Sequence, residues 1–374
     1  MFGIALKMLF NDKIKFIALI LGITFSALLI TQQGSIFCGL MMRTGATILD
    51  TNVPIWVFDP KVQAVNDNVP MQENKLPIVR SVDGVAWAVP LLFSNVSAKN
   101  DEGNTGMVQL IGVDDETLTG LPSKLISGNI EALNEPEAII MTKSRLDRFG
   151  NPKVGDYIEI NYHRAKVVAI MEATSSFTPF PSVYTTYSKA VSFLPPQPKH
   201  LTYILAGAAK GFTAEETCRR ITKETGLKAL PMWDFFWLNL GYWVRNTGIP
   251  INFGITISLG IIFGAAVSGQ TLYTFMVENT RQFATFKAIG LRTPKLIAMV
   301  LLQSLSAAFI GYGIGVGVMS LMGLLMPKNG ALAFYTPWQL PVVAAIVVFL
   351  FCTLASLISI RRVLSVDPAL VFRG

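Results

Sequence analysis

The chain has very little of what enzymes use for catalysis. Its 374 residues include two histidines, His163 and His200; neither belongs to an HExxH pairing, and no GxSxG sequence is present. The three cysteines are far apart and are not spaced as a metal site or a disulfide pair. We therefore expect no catalytic residues, no metal and no cofactor bound by this chain, and a membrane-anchored hydrolase or protease is disfavoured.

Charged residues are also scarce, and long stretches contain none. They make up 15% of the chain, against 51% hydrophobic residues, and the mean hydropathy is +0.48. Four runs lack Asp, Glu, Lys and Arg altogether: 16–42, 246–277, 296–327 and 329–360. Each run exceeds the ~20 apolar residues that cross a bilayer. The sequence predicts a membrane α-helical protein with four transmembrane helices, arranged as one plus three.

The net charge of +7 is distributed unevenly. Segment 43–245 holds 20 Lys and Arg against 21 Asp and Glu, a net charge of −1, so nucleic acid is not expected as a partner. The excess lies beside the spans, at Lys7, Lys13, Lys15, Arg281, Lys287, Arg292, Lys295, Arg361, Arg362 and Arg373. The positive-inside rule then places both termini in the cytoplasm of a multi-pass protein of the bacterial cytoplasmic (inner) membrane, with segment 43–245 extracytoplasmic.

These patterns divide the chain into nine predicted segments. They are an interfacial helix at 1–15, the first span at 16–42, an extracytoplasmic domain at 43–245, the second span at 246–274, a cytoplasmic coupling loop or helix at 275–295, the third span at 296–326, a short outer loop at 327–338, the fourth span at 339–360 and a cytoplasmic tail at 361–374. Residues 1–15 also fit the start of a signal peptide. The 27 uncharged residues that follow exceed the ~7–15 of a signal-peptide hydrophobic region, which favours a membrane helix.

Segment 43–245 changes to the alternating pattern of β-strands. Examples are VPIWVF at 53–58 and YIEINY at 157–162, with turn residues between such runs. Helical stretches intervene, and Thr213 followed by Glu216 forms a capping box. The pattern predicts a large α+β extracytoplasmic domain with two lobes between the first and second spans.

Two features of this domain each have two interpretations. The acidic run at 114–116 fits a solvated turn or a cation site. The apolar loop with Phe177 and Phe180 fits packing between lobes or contact with lipid or a partner. In both cases the residue types favour the first interpretation.

Small residues and tryptophans are placed as in other membrane helices. The small residues are Gly260, Gly264 and Ser268 in the second span and Gly311 and Gly315 in the third. Because small residues let helix backbones approach closely, we expect these spans to pack against each other or across a dimer. The tryptophans expected at the outer membrane interface are Trp233, Trp237, Trp243 and Trp338.

A short charged island, 273–303, separates the second and third spans. Thr280 is placed to cap a short helix that runs to Gly290, and Pro294 keeps that helix from continuing into the next span. We expect Phe283 and Phe286 to insert into a groove on a partner protein. The alternative is that this helix lies on the bilayer with its phenylalanines in lipid.

The island resembles the permeases of the MacB/FtsX/lipoprotein-releasing type of ABC transporter. The matching residues are Glu278, Arg281, Lys287, Ala288, Ile289 and Gly290. Gln282 and Phe283 resemble the DevC branch more closely, as do LFNDKIKFIALILGITFSALLITQQ near the N-terminus and RRVLSVDPALVFRG at the C-terminus. Gln282 departs from the many family members that have a carboxylate there.

The resemblance implies the permease subunit of an ABC-type efflux or export system. It implies a homodimer, two copies of a separate ATPase that binds ATP and Mg, a periplasmic adaptor (membrane fusion protein) and an outer-membrane channel. ATP-driven motion would reach the extracytoplasmic domain and the adaptor by mechanotransmission. The implied ATPase-coupling residues are Glu278, Arg281, Gln282, Phe283, Phe286, Lys287, Ala288 and Gly290. The alternative is an FtsX-like, non-transporting signalling permease that regulates a cell-wall enzyme or a sensor.

Overall fold

The computed structural model describes residues 2–100, 103–178, 180–196, 201–326 and 332–364. The helices are α1 (Phe2–Asn11), α2 (Lys13–Thr44), α3 (Ala46–Thr51), α4 (Lys75–Arg80), α5 (Tyr187–Ser192), α6 (Ala214–Thr225), α7 (Met232–Asn246), α8 (Ile249–Glu278), α9 (Thr280–Ala288), α10 (Thr293–Leu325) and α11 (Gln339–Leu364). The strands are β1 (Ile55–Phe58), β2 (Val85–Asn100), β3 (Thr105–Val113), β4 (Lys124–Gly128), β5 (Ala138–Thr142), β6 (Tyr157–Ile160), β7 (His163–Glu172), β8 (Ser182–Thr186), β9 (Tyr203–Ala208) and β10 (Lys228–Pro231).

The chain divides into two units. The membrane unit comprises the described parts of 1–39, 248–328 and 332–374, and the outer unit comprises those of 40–247. In the part of the chain that the structure describes, four helices are long and apolar enough to cross a membrane: α2, α8, α10 and residues 339–360 of α11. The predicted fold class, one span followed by a large domain and three further spans, is confirmed.

In the membrane unit, α2 lies close to both α8 and α10. A Cβ atom built on Gly264 would lie 2.5 Å from Cβ of Ser26, and one built on Gly315 would lie 2.8 Å from the backbone oxygen of Thr24. The Ser26 hydroxyl donates to the Gly260 carbonyl at 2.8 Å. Small residues on α8 and α10 therefore let both helices approach α2 closely.

This arrangement corrects the expected partners of the small residues. We expected these residues to bring the second and third spans together or to pack across a dimer; within the chain, the nearest atoms to Gly260, Gly311 and Gly315 all belong to α2. Ser268 is fully buried. Because these glycines have no side chain, Leu29, Ile23 and the backbone of Thr24 in α2 can approach them closely.

The outer unit is built on one ten-stranded sheet. Its order is β10-β1-β9-β2-β3-β8-β5-β7-β4, and β6 pairs with β2 and β7. Residues 85–91 of β2 pair with β9, whereas residues 92–99 pair with β3, both in antiparallel register. The long strand β2 thus belongs to two halves of the sheet.

The capping box predicted at the start of α6 is present in part. The Thr213 side chain accepts a hydrogen bond from the Glu216 backbone N–H at 3.2 Å. The Glu216 carboxylate instead accepts from Arg220 at 2.8 Å. Cys218 on the same helix is buried, and burial raises the pKa of its thiol to about 12, so this cysteine is an inert core residue.

An aromatic cluster fixes α7 in the core of the outer unit. Phe235 is fully buried, and its ring centroid lies 4.4 Å from that of Phe58 and 5.4 Å from that of Trp56. Tyr203 completes the cluster, and its hydroxyl donates to the Val65 carbonyl at 2.8 Å. Aromatic pairs at these distances add to the stabilisation from burial alone.

The two ends of the outer unit are joined by Asn239 of α7. Its amide donates to the Thr44 hydroxyl at 3.2 Å, and its carbonyl oxygen accepts from the Val65 N–H at 3.1 Å. Thr44 is the last residue of α2. The helix that enters the outer unit and the helix that leaves it are therefore linked by a buried hydrogen-bonded side chain.

We predict that Gly315→Leu lowers the melting temperature of the purified protein by several degrees. The new side chain would meet the backbone of α2, which cannot move aside as a flexible side chain can, and overpacking of this kind costs about 1–3 kcal/mol. Gly317→Leu is the matched control, because a Cβ atom there meets nothing within 4 Å. Thermal unfolding in one detergent measures both, and equal effects of the two variants would contradict the close approach.

We predict that Phe235→Ala destabilises the outer unit by about 3–5 kcal/mol, the usual cost of removing a fully buried aromatic ring. Trp237→Ala on the same helix is the control, since its side chain is 61% exposed and its removal leaves no cavity. Denaturant unfolding followed by near-ultraviolet circular dichroism compares the two variants. If Trp237→Ala lowered the free energy of unfolding more than Phe235→Ala, the burial of Phe235 would not be what stabilises α7.

Candidate coupling site

The island between the second and third spans folds as a helical hairpin. Helix α8 ends at Glu278 and α9 begins at Thr280. The predicted capping role of Thr280 is wrong: its hydroxyl donates back to the Met276 carbonyl of α8 at 3.0 Å. The Asn279 side chain likewise donates to the Phe275 carbonyl at 2.8 Å. Both bonds go to carbonyl groups in the last turn of α8, where few backbone N–H donors remain.

The apolar face of α9 is turned into the membrane unit. Phe283 is 1% exposed and Ala284 is fully buried. Phe283 lies against a cluster of residues from the ends of the three later spans: Phe275, Met276, Leu296, Val300 and Ile360. The expectation that Phe283 inserts into a partner groove is therefore wrong, because the side chain is already enclosed by its own chain. Phe286 is half-buried at the edge of this cluster.

The tip of the hairpin exposes an apolar surface. Ile289 is 79% exposed, and Ala288 and Gly290 beside it are also exposed. Gly290 has a φ of +89°, a left-handed conformation that ends a helix and that glycine adopts without strain. Helix α10 begins at Thr293 with Pro294 in its first turn, so the predicted break between the two helices is present.

The charged residues of the site have different environments. Arg281 and Gln282 are exposed, and Lys287 is half-buried. The Glu278 carboxylate forms an ion pair with Lys15, at the start of α2. Lys15 also pairs with Asp12 at 2.6 Å, and this hydrogen bond is the main cause that lowers the pKa of the Asp12 carboxyl. The Glu278 carboxylate thus has an ion-pair partner in its own chain.

Two residues of this region escaped the sequence reasoning. In the sequence Lys15 belongs to a positive cluster beside the first span, whereas in the structure it pairs with Glu278, 263 positions away. Gln303 is fully buried in α10, and its amide donates to the Ala5 carbonyl of α1 at 2.8 Å. A lone glutamine inside an apolar run was the signal available for Gln303, since buried amides require partners.

The tryptophans expected at the membrane interface fall into two groups. Trp233, Trp237 and Trp338 are 55%, 61% and 75% exposed, as an interfacial role requires. Trp243 is half-buried, and its ring centroid lies 4.5 Å from that of Phe177. Within the outer unit the loop with Phe177 therefore packs on α7.

The acidic run of the outer unit forms turns. Asp114 accepts from the Thr117 N–H and hydroxyl at 2.9 and 2.8 Å, and Asp115 accepts from the Ser188 N–H and hydroxyl at 3.1 and 2.6 Å. No cluster of three or more metal-ligating side chains occurs among the residues that the structure describes. His163 is exposed, and His200 lies outside the described residues.

Two of the predicted cytoplasmic and outer segments lie partly outside the described residues. The tail at 361–374 carries basic residues whose side chains are not described, and the short outer loop includes 327–331, which also lies outside. The described part of that loop is joined to α2, because the Ser35 and Thr336 hydroxyls are hydrogen-bonded at 2.8 Å. This bond gives a partner to a polar side chain of the first span.

Comparison with known proteins identifies two regions. Residues 253–368 match the family described as FtsX-like permease, C-terminal, and residues 16–224, more than half of the chain, match the MacB-like periplasmic core domain. An ABC transporter permease of Mycobacterium tuberculosis is 27% identical over 311 residues, which cover 82% of this chain and 80% of that protein. The hemin transport system permease protein HrtB of Staphylococcus haemolyticus is 33% identical over 121 residues, 32% of this chain and 33% of that one.

A solved structure is also similar in part. The periplasmic region of MacB from Actinobacillus actinomycetemcomitans aligns with a TM-score of 0.38 and 10% identity, covering 53% of this chain and 94% of that one. The two family matches, by contrast, extend from the first span to the last and coincide with the observed order of span, outer unit and three spans. The chain therefore belongs to the MacB/FtsX family of ABC transporter permeases, inner-membrane proteins with a periplasmic domain that work with an ATPase.

Proposed function

We propose that this chain is the permease of an efflux system and acts as a homodimer. A separate ATPase, present in two copies and carrying ATP and Mg, drives a motion that the spans transmit to the outer unit and to a periplasmic adaptor joined to an outer-membrane channel. The permease itself binds no cofactor and catalyses no reaction. Both termini and α9 lie on the cytoplasmic side, in keeping with the basic residues that flank the spans.

The rigid attachment of α9 is the observation that carries this proposal. Phe283 is buried against residues of α8, α10 and α11, and Ala284 beside it is fully buried. A force on the exposed face of α9 therefore reaches the ends of three spans at once, because close-packed interiors transmit displacement with little compression. A helix that merely lay on the bilayer would turn its phenylalanines towards lipid, whereas Phe283 is 1% exposed.

The path onward runs through α2. This helix touches α8 at Gly264 and α10 at Gly315, so a shift of either helix displaces it. Its last residue, Thr44, is hydrogen-bonded to Asn239 of the outer unit. The helix of the first span thus contacts the second and third spans and continues into the outer unit, where its last residue is hydrogen-bonded.

The partners can be identified by purification of the tagged protein from its native membranes in mild detergent. Co-purification of an ATPase together with a periplasmic adaptor supports export. Recovery of an ATPase with a cell-wall hydrolase or a sensor kinase would instead support the signalling alternative, in which the outer unit regulates an enzyme and transports nothing.

We predict that Ile289→Asp uncouples ATP hydrolysis from transport. Ile289 is 79% exposed, so the substitution leaves the fold intact but places a charge where the partner requires an apolar contact. Loss of a central interface contact of this kind costs about 1–2 kcal/mol, or roughly a 5–30-fold loss of stimulated activity. Substrate transport and ATPase activity are measured in vesicles that contain permease and ATPase.

Ile289→Leu is the matched control, because it keeps an apolar side chain of the same volume at the hairpin tip. We expect it to retain near-normal coupling. The proposed coupling role of α9 fails if Ile289→Asp transports normally with an unchanged ratio of substrate moved to ATP hydrolysed. It fails equally if both variants lose activity together through reduced assembly, as judged by gel filtration.

A further inference from the structure

We infer that Lys15 is a positioning residue for Glu278 and that α1 belongs to the coupling unit. This inference rests on the proposed coupling function of α9. It adds a role for α1 and for the turn between α1 and α2, which the proposed function does not include. The observation is an ion-pair chain, Asp12–Lys15–Glu278, which joins the turn between α1 and α2 to the last residue of α8.

The turn before α2 fixes where the Lys15 ammonium lies. Asp12 accepts hydrogen bonds from both the Lys15 backbone N–H, at 3.3 Å, and its ammonium, at 2.6 Å. The Asp12 carbonyl also accepts from the Phe16 N–H at 2.9 Å. Asp12 therefore acts as the N-terminal cap of α2 and directs the lysine side chain with the same carboxylate.

The Lys15 ammonium, held by Asp12, binds the Glu278 carboxylate. One ammonium group lies between two carboxylates, so the Glu278 carboxylate keeps a single direction at the boundary of α8 and α9. Glu278 is 51% exposed, which leaves its remaining acceptor positions open to a second contact. The pair thus presents the carboxylate in a defined orientation at the base of the α9 hairpin.

Helix α1 is attached to the same elements by two further contacts. The buried Gln303 amide of α10 donates to the Ala5 carbonyl at 2.8 Å. Met8 packs against the cluster that encloses Phe283. The helix is thereby held to α10, to the base of α9 and, through Asp12 and Lys15, to α8, so it moves with the hairpin.

The role of the ion pair is orientation more than stability. The side chains of Lys15 and Glu278 are 25% and 51% exposed, and ion pairs with this degree of exposure add little to the free energy of unfolding. Reversal of one charge should therefore leave the protein folded while the carboxylate loses its fixed direction. This separation of effects makes the inference testable.

The test uses Lys15→Glu, the exchanged pair Lys15→Glu/Glu278→Lys, and the conservative Lys15→Arg. We expect Lys15→Glu to speed backbone hydrogen exchange across 279–291 at least threefold in the purified permease, and to lower substrate-stimulated ATPase activity about fivefold in the reconstituted complex. The exchanged pair should recover most of the exchange protection, and Lys15→Arg should behave as the wild type.

Lys13→Glu is the matched control. It makes the same charge change two residues away in the first turn of α2, where the side chain is exposed and makes no ion pair among the described residues. If Lys15→Glu and Lys13→Glu have equal effects on hydrogen exchange, the positioning role is overturned and only a general charge effect remains. The positioning role is also overturned if the exchanged pair Lys15→Glu/Glu278→Lys fails to recover protection from hydrogen exchange.

The hydrogen-exchange measurement needs no ATPase and no substrate, so it separates this inference from the proposed function. If exchange responds as expected but the wild-type complex shows no ATP-dependent transport, the ion-pair chain stands and the export function fails. If the wild type transports and exchange in Lys15→Glu matches the control, export stands and the role of Lys15 fails.

Discussion

Close contact between α2 and two other spans is the constraint on which the rest of the membrane unit depends. Inside a bilayer, helices gain nothing from excluding water from one another, so they associate through shape and hydrogen bonds. Here Ser26 reaches the Gly260 carbonyl and Gly315 brings α10 against the backbone of α2. These contacts place the first span, which is separated in the chain by the whole outer unit, next to the second and third.

The consequence for function is that α9 contacts the spans of the membrane unit, and that α2, which these spans touch, continues into the outer unit. Phe283 joins the hairpin to the ends of α8 and α10, those helices touch α2, and Thr44 of α2 bonds to Asn239. Each step is a buried contact or a hydrogen bond between described residues. Such a chain of packed groups is suited to transmitting displacement, which is the role that the proposed function gives to the spans.

The outer unit is suited to the same role because the two halves of its sheet share a strand. Residues 85–91 of β2 lie in one half of the sheet and residues 92–99 in the other. The aromatic cluster around Phe235 joins α7 to β1 and β9, so the exit helix is part of the core of the unit. Movement at the base of α7 would be received by the sheet itself and not by a loop.

The sequence by itself determined the spans, the position of the outer unit, the hairpin with its break at Gly290 and the family. Those features depend on local composition: charge-free runs longer than the bilayer, alternation in strands, and short signals such as Gly-x-x-x-Pro. Only the tertiary structure decided that Phe283 is enclosed, that the glycines of α8 and α10 face α2, and that Lys15 holds Glu278. An amphipathic pattern shows that one face of a helix is apolar, but whether its own chain, lipid or a partner covers that face depends on residues far away in sequence.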